Sequence, residues 1–136
     1  MIVTVEAPSR LKLSPSFRRE VPRIVKKVFQ SENEKWHGEV AVVFVDRKKI
    51  RQLNQQFLST KGDTDVIAFP YEDQSGDVYI CVPVAKENAV RFGEPLAREL
   101  KRLVIHGSLH LLGYADYPKK KRDEMWKVQE ALVQRI

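Results

Sequence analysis

Residues Glu39 to Val45 (EVAVVFV) constrain the fold more than any other segment. Six consecutive apolar residues, four of them valine, are too few for a buried helix and have the β-branched density of a buried strand. Such a strand needs neighbours in a sheet and helices to cover it. Ile2 to Val5 is a short β-branched run, followed by a connection broken at Pro8 and Pro15. Asp65–Pro70 and Asp77–Val82 are strand-like and separated by the turn-rich DQSG, so they are expected to pair as a hairpin. From Ser16 onward Phe17, Val21, Ile24, Val25, Val28 and Phe29 recur at helical spacing, and Pro22 implies that this helix either kinks or begins there. Asp46 suits the N-cap of a helix carrying Ile50, Leu53 and Phe57 on one side. Pro83–Phe92 reads as a short helix stopped by Gly93, and Pro95–Leu112 as a longer one with Leu96, Leu100, Leu103 and Val104 inward. After Pro118 a last helix places Met125, Leu132, Val133 and Ile136 on one face. The order β-α-β-α-β-β-α-α-α predicts an α+β fold with an α/β-like core, a small mixed sheet of about four strands under about five helices. A chain of 136 residues fits one such domain, 1–136.

Composition excludes several classes. No apolar run approaches the roughly 20 residues that span a bilayer, so no membrane partner is expected. Cys81 is the sole cysteine, which excludes an internal disulfide framework. The charged start MIVTVEAPSR lacks the apolar core of a signal peptide, and a cytoplasmic location is expected. Lys and Arg outnumber Asp and Glu by 24 to 18, favouring an anionic partner.

The chemistry concentrates in HGSLHLLGYAD, His106 to Asp116. Two histidines four apart lie on one helical face, one turn apart, where two nitrogens reach a single ion. Gly113 can then take the left-handed conformation that ends a helix, and the returning chain delivers Asp116 beneath the pair. Three protein ligands plus water is the open arrangement of a catalytic zinc. The alternative for Asp116 is a turn residue before Tyr117-Pro118. Glu99, seven residues before His106 on the same face, could support a metal ligand, but an exposed ion pair with Arg98 or Arg102 is the expectation, and His37 is expected at the surface.

The spacing H-x-x-x-H-x-x-G-x-x-D is similar to the metzincin signature, but Gly107 stands where those proteases carry their general-base glutamate. Three segments instead resemble the bacterial rRNA maturation factors, the metal-dependent endoribonucleases of the YbeY (UPF0054) family. These are Leu53-Asn54 through Phe57 into Thr64–Pro70, then Gly76–Ile80, then Leu103–Tyr114 with HGSLHLLGY. The resemblance implies a zincin-like metal helix and a single-strand-specific endoribonuclease for the 3′ end of small-subunit rRNA and for ribosome quality control. Its partners would be rRNA and the ribosome or its small subunit, and its cofactor one divalent ion, foremost Zn2+, held by His106, His110 and Asp116. Two positions depart from the family. Asp116 replaces the usual third histidine, and Leu58 replaces an arginine, leaving phosphate contact to Lys61 or another cleft arginine.

No side chain is assigned as general base; Thr64 and Asp65 are candidates for the cleft wall. RNA contact would rest on Arg18, Arg19, Arg23, Lys26 and Lys27, on Arg47–Arg51, or on Lys119–Arg122. The competing readings are a metzincin-like metalloprotease and a non-catalytic ribosome-binding factor with a structural metal.

Overall fold

The computed structural model describes residues 1–58 and 62–136. β1 (Ile2–Glu6) leads through a 3-10 turn (Ser9–Leu11) into α1 (Pro15–Ser31), then β2 (Glu39–Val45), α2 (Arg47–Leu53) and a π-turn (Asn54–Leu58). The hairpin β3 (Val66–Tyr71) and β4 (Ser75–Cys81) follows, then α3 (Val82–Phe92), α4 (Leu96–Leu111) and α5 (Lys119–Arg135). The sheet order is β1-β2-β4-β3, with β1, β2 and β4 parallel and β3 antiparallel at the edge. This is the mixed α+β sheet expected from the element order, with β2 paired on both sides.

Alternation along the two central strands sends side chains to two cores. Val40, Val42 and Phe44 of β2 with Val78 and Ile80 of β4 meet α1, α4 and α5 on one face. Val45 and Cys81 meet Ile50 and Leu53 of α2 on the other. α1 starts at Pro15, where the Ser14 hydroxyl accepts from the Phe17 amide, and it runs through Pro22 without ending. The helix does not begin at Pro22, because a buried stripe from Phe17 to Phe29 outweighs the one backbone bond lost. Asp46 caps α2 through the Lys49 amide, but the helix passes into the π-turn and Phe57 is left 57% exposed rather than in the apolar stripe.

The hairpin turn is Glu72–Gln74, and Ser75 and Gly76 belong to β4 instead of the turn. Gly76 is there for proximity: a Cβ would lie 2.6 Å from Leu111 Cδ2 of α4. Gly107 answers it from the helix side, where a Cβ would lie 2.4 Å from Val78 Cγ1. These two contacts let α4 lie close on β4, with α1, α3 and α5 packed around it. Gly107→Ala is therefore expected to destabilise despite the roughly 1 kcal/mol that alanine gains in helix propensity. Overpacking at about 1–3 kcal/mol outweighs that gain, and a lowered melting temperature would register it.

Candidate metal centre

His106 and His110 project from the C-terminal half of α4, both partly buried, with ring centroids 4.6 Å apart. The helix then ends in a Schellman turn: the Gly113 amide donates to the His110 carbonyl, and the Tyr114 amide to the Leu109 carbonyl. Gly113, at φ 100°, provides the left-handed step that an L side chain resists. The chain returns past the histidines, anchored where the Tyr114 phenol donates to Glu32 at the end of α1. That carboxylate pushes the Tyr114 pKa up to about 12. Asp116 arrives with Oδ2 2.8 Å from His110 Nε2 and Oδ1 3.8 Å from His106 Nε2.

Each ring has a further partner on its Nδ1. His110 has an acceptor on each ring nitrogen, the Tyr114 carbonyl 2.9 Å from Nδ1 and the Asp116 carboxylate 2.8 Å from Nε2, so a ring that gives Nε2 to a metal keeps its proton on Nδ1. His106 Nδ1 lies 2.6 Å from Gln129 Oε1. The orientation of that amide is set in turn, because Gln129 Nε2 donates to Glu130 Oε2 at 3.0 Å. His106 therefore carries its proton on Nδ1 and presents a bare Nε2. Two ring nitrogens and a carboxylate oxygen converge within 4.8 Å of one another, close enough to share one cation. Bonds of 2.0–2.1 Å in tetrahedral geometry would put ligand atoms about 3.3 Å apart, between the two separations observed. Burial, and then the neighbouring His110, hold the His106 pKa below its ordinary value, favouring the neutral ring that binds metals. The Asp116 side chain is 55% exposed, so the group opens to water on one side. The turn alternative for Asp116 has no donor to use: the residue two ahead is Pro118, which has no amide hydrogen.

Gln129 escaped the sequence reading, although a glutamine inside the apolar stripe Met125–Leu132–Val133 of α5 was a usable signal; it is 2% exposed. Behind it lies a network that was also missed. Arg102 donates to Glu94, Glu99 and Glu130, and Asn88 bridges Glu99 to Asp65. Glu99 thus pairs with Arg102, but buried at 2% exposure rather than at the surface. Asp65 lines the cleft beside His106, and Thr64 is not part of its lining. Leu58 ends the π-turn, half exposed and away from this cleft, and Lys61 lies outside the described residues. His37 is at the surface.

Three donors open to solvent, on a helix laid across a small mixed sheet, are the build of a metal-dependent hydrolase. The family model for endoribonuclease YbeY matches residues 5–136. The endoribonuclease YbeY of Thermotoga maritima is 36% identical over 128 residues, covering 92% of this chain and 81% of its own. That of Elusimicrobium minutum is 35% identical over 137 residues, covering 92% of each. The solution structure of a Thermotoga maritima protein superposes with a TM-score of 0.69 at 31% identity, over 98% of this chain and 87% of that one. The chain belongs to the endoribonuclease YbeY family.

Proposed function

We propose that this chain, acting as one domain over 1–136, is a metal-dependent endoribonuclease that cuts single-stranded RNA in the maturation of ribosomal RNA. The observation that carries the reading is the pair of Nε2 atoms converging on the Asp116 carboxylate, each ring with an acceptor on its Nδ1. His106, His110 and Asp116 would hold the ion; two imidazoles and a carboxylate suit zinc first, and the carboxylate widens the choice towards harder ions. A divalent ion bound there supplies Lewis acidity and brings the pKa of a coordinated water to about 7. The chain's own part is to orient: Gln129 and the Tyr114 carbonyl fix the rings, and the exposed side of Asp116 faces incoming phosphodiester.

Cations for the RNA backbone remain on α1, where Arg19, Arg23, Lys26 and Lys27 are exposed, and at the start of α5, where Lys119 pairs with Asp123 and Lys120, Lys121 and Arg122 are exposed. The cluster on α2 is partly neutralised, since Arg47 and Arg51 pair with Asp63 and Arg47 also with Glu87. Such backbone contacts suit the small ribosomal subunit as the partner and the cytoplasm as the place. Among the described residues no helix is long and apolar enough to cross a membrane.

A peptidase is disfavoured by position 107, which faces Val78 of the sheet and has no room for a glutamate. Incubation with an unstructured RNA and with casein, with and without chelator, tests the assignment. Chelator-sensitive RNA cleavage is expected; chelator-sensitive casein cleavage without RNA cleavage would overturn it. Gln129→Leu is expected to lose roughly 10–100-fold in metal affinity, the usual cost of removing a ligand's hydrogen-bond partner, whereas Gln129→Glu keeps an acceptor on Nδ1 but sets a second carboxylate against Glu130, and should lose less than the leucine variant. Competition against a chromophoric chelator reads both.

A further inference from the structure

On the His106 side of α4 the surface opens into a cleft of about 520 Å³. Its floor is α4, with Leu103 and His106; its walls are α3 and α5, which both pack on α4 and contribute Phe92 and Trp126. Those two aromatics are 62% and 56% exposed, held out in water on either side of one depression that ends at a candidate metal ligand. Large apolar surface left uncovered beside a functional group marks a binding site rather than a packing accident.

The charges lining the cleft are uneven: Asp65, Glu94, Glu99 and Glu130 against Arg91 and Arg102. Arg102 is occupied by three of those carboxylates and has no donor to spare for a ligand. A phosphodiester pushed inward would meet excess negative charge, whereas a neutral planar ring bearing amino donors would find acceptors. Arg91 is exposed at the rim, with no carboxylate in ion-pair range among the described residues, and can meet a phosphate that stays outside.

We propose that this cleft is a subsite for one unpaired nucleobase carrying an exocyclic amino group, stacked on Trp126 and Phe92 beside the bond to be cut. The proposal rests on the endoribonuclease reading and deepens it, because it names what makes the enzyme select single strands. In a duplex a base has its faces covered by neighbours and its edge by its partner, and neither is free to enter. Stacking on aromatic side chains tolerates any base, so the carboxylates would set the preference, for adenine, cytosine or guanine over uracil.

The chain has two tryptophans, and Trp36 is packed edge-on against Phe29 at 4.9 Å, so Trp36→Phe leaves Trp126 as the sole reporter. The metal-loaded variant is titrated with a short single-stranded 2′-O-methyl oligoadenylate, which resists cleavage, and with the matching duplex. Quenching by the single strand and not by the duplex is expected. In RNA cleavage, Trp126→Ala and Phe92→Ala should each raise KM by roughly tenfold with kcat, metal content and melting temperature unchanged, and Trp126→Phe should restore most of the loss. Oligouridylate should be cut less well than oligoadenylate or oligocytidylate. If the wild-type chain cuts RNA while Trp126 emission ignores the single strand and both alanine variants keep the wild-type KM, the subsite is refuted and the aromatics belong to a protein interface. If the metal-loaded wild type cuts no RNA at all, the endoribonuclease reading falls first, and the subsite with it.

Discussion

His110→Ala is expected to weaken metal binding by more than about 100-fold, beyond the usual loss for a supporting partner, and to abolish RNA cleavage. The side chain offers one of the three ligand atoms of the His106, His110 and Asp116 group found among the described residues, and its loss leaves two. A variant that still binds a full equivalent tightly would show that the centre lies elsewhere. Asp116 separates the possibilities further. Asp116→Ala should weaken binding with little change in the melting temperature of the metal-free protein, because the carboxylate caps no backbone amide and is more than half exposed. Asp116→His should keep the ion and shift the preference from manganese towards zinc, since imidazole is the softer donor. Competition titrations with the two metals, beside thermal melts, give all three results.

The second large effect concerns stability. Arg102→Met is expected to destabilise the fold by about 3–5 kcal/mol at neutral pH, the range for removing one partner of a buried ion pair. The lower part of that range is favoured, because Glu94 and Glu130 keep side-chain exposures of 24% and 28% and only Glu99 is fully buried. The pH dependence has a definite sign. Arg102, hydrogen-bonded to Glu94, holds that carboxyl below its ordinary range, so its contribution is complete above the ordinary glutamate pKa and is lost as pH falls through the lower folded value. In the variant the stranded carboxylates gain by taking up protons, and the stability gap between the two proteins should narrow on acidification. Urea unfolding at neutral and mildly acidic pH measures that gap. Because Glu130 also fixes Gln129, and Gln129 fixes His106, metal affinity should fall in the same variant.

Much of this was legible in the order of residues because it depends on local chemistry. The alternation that places Val40, Val42 and Phe44 on one face, the helical spacing of Phe17 to Phe29, the i, i+4 histidines and the glycine that ends their helix are all short-range patterns. They determined the strands, the helices and the first two candidate ligands, and the return through Gly113 brought the third candidate within reach. Tertiary structure decided the rest. The two glycines that bring α4 onto β4, Gly76 and Gly107, have neighbours far along the chain, and the first sat inside what reads locally as a turn. Gln129 is 23 residues from the histidine it holds, and Glu130 is 28 from Arg102. A hydrogen bond between such partners leaves no periodicity behind, because it is fixed by where two helices cross and not by the spacing within either one.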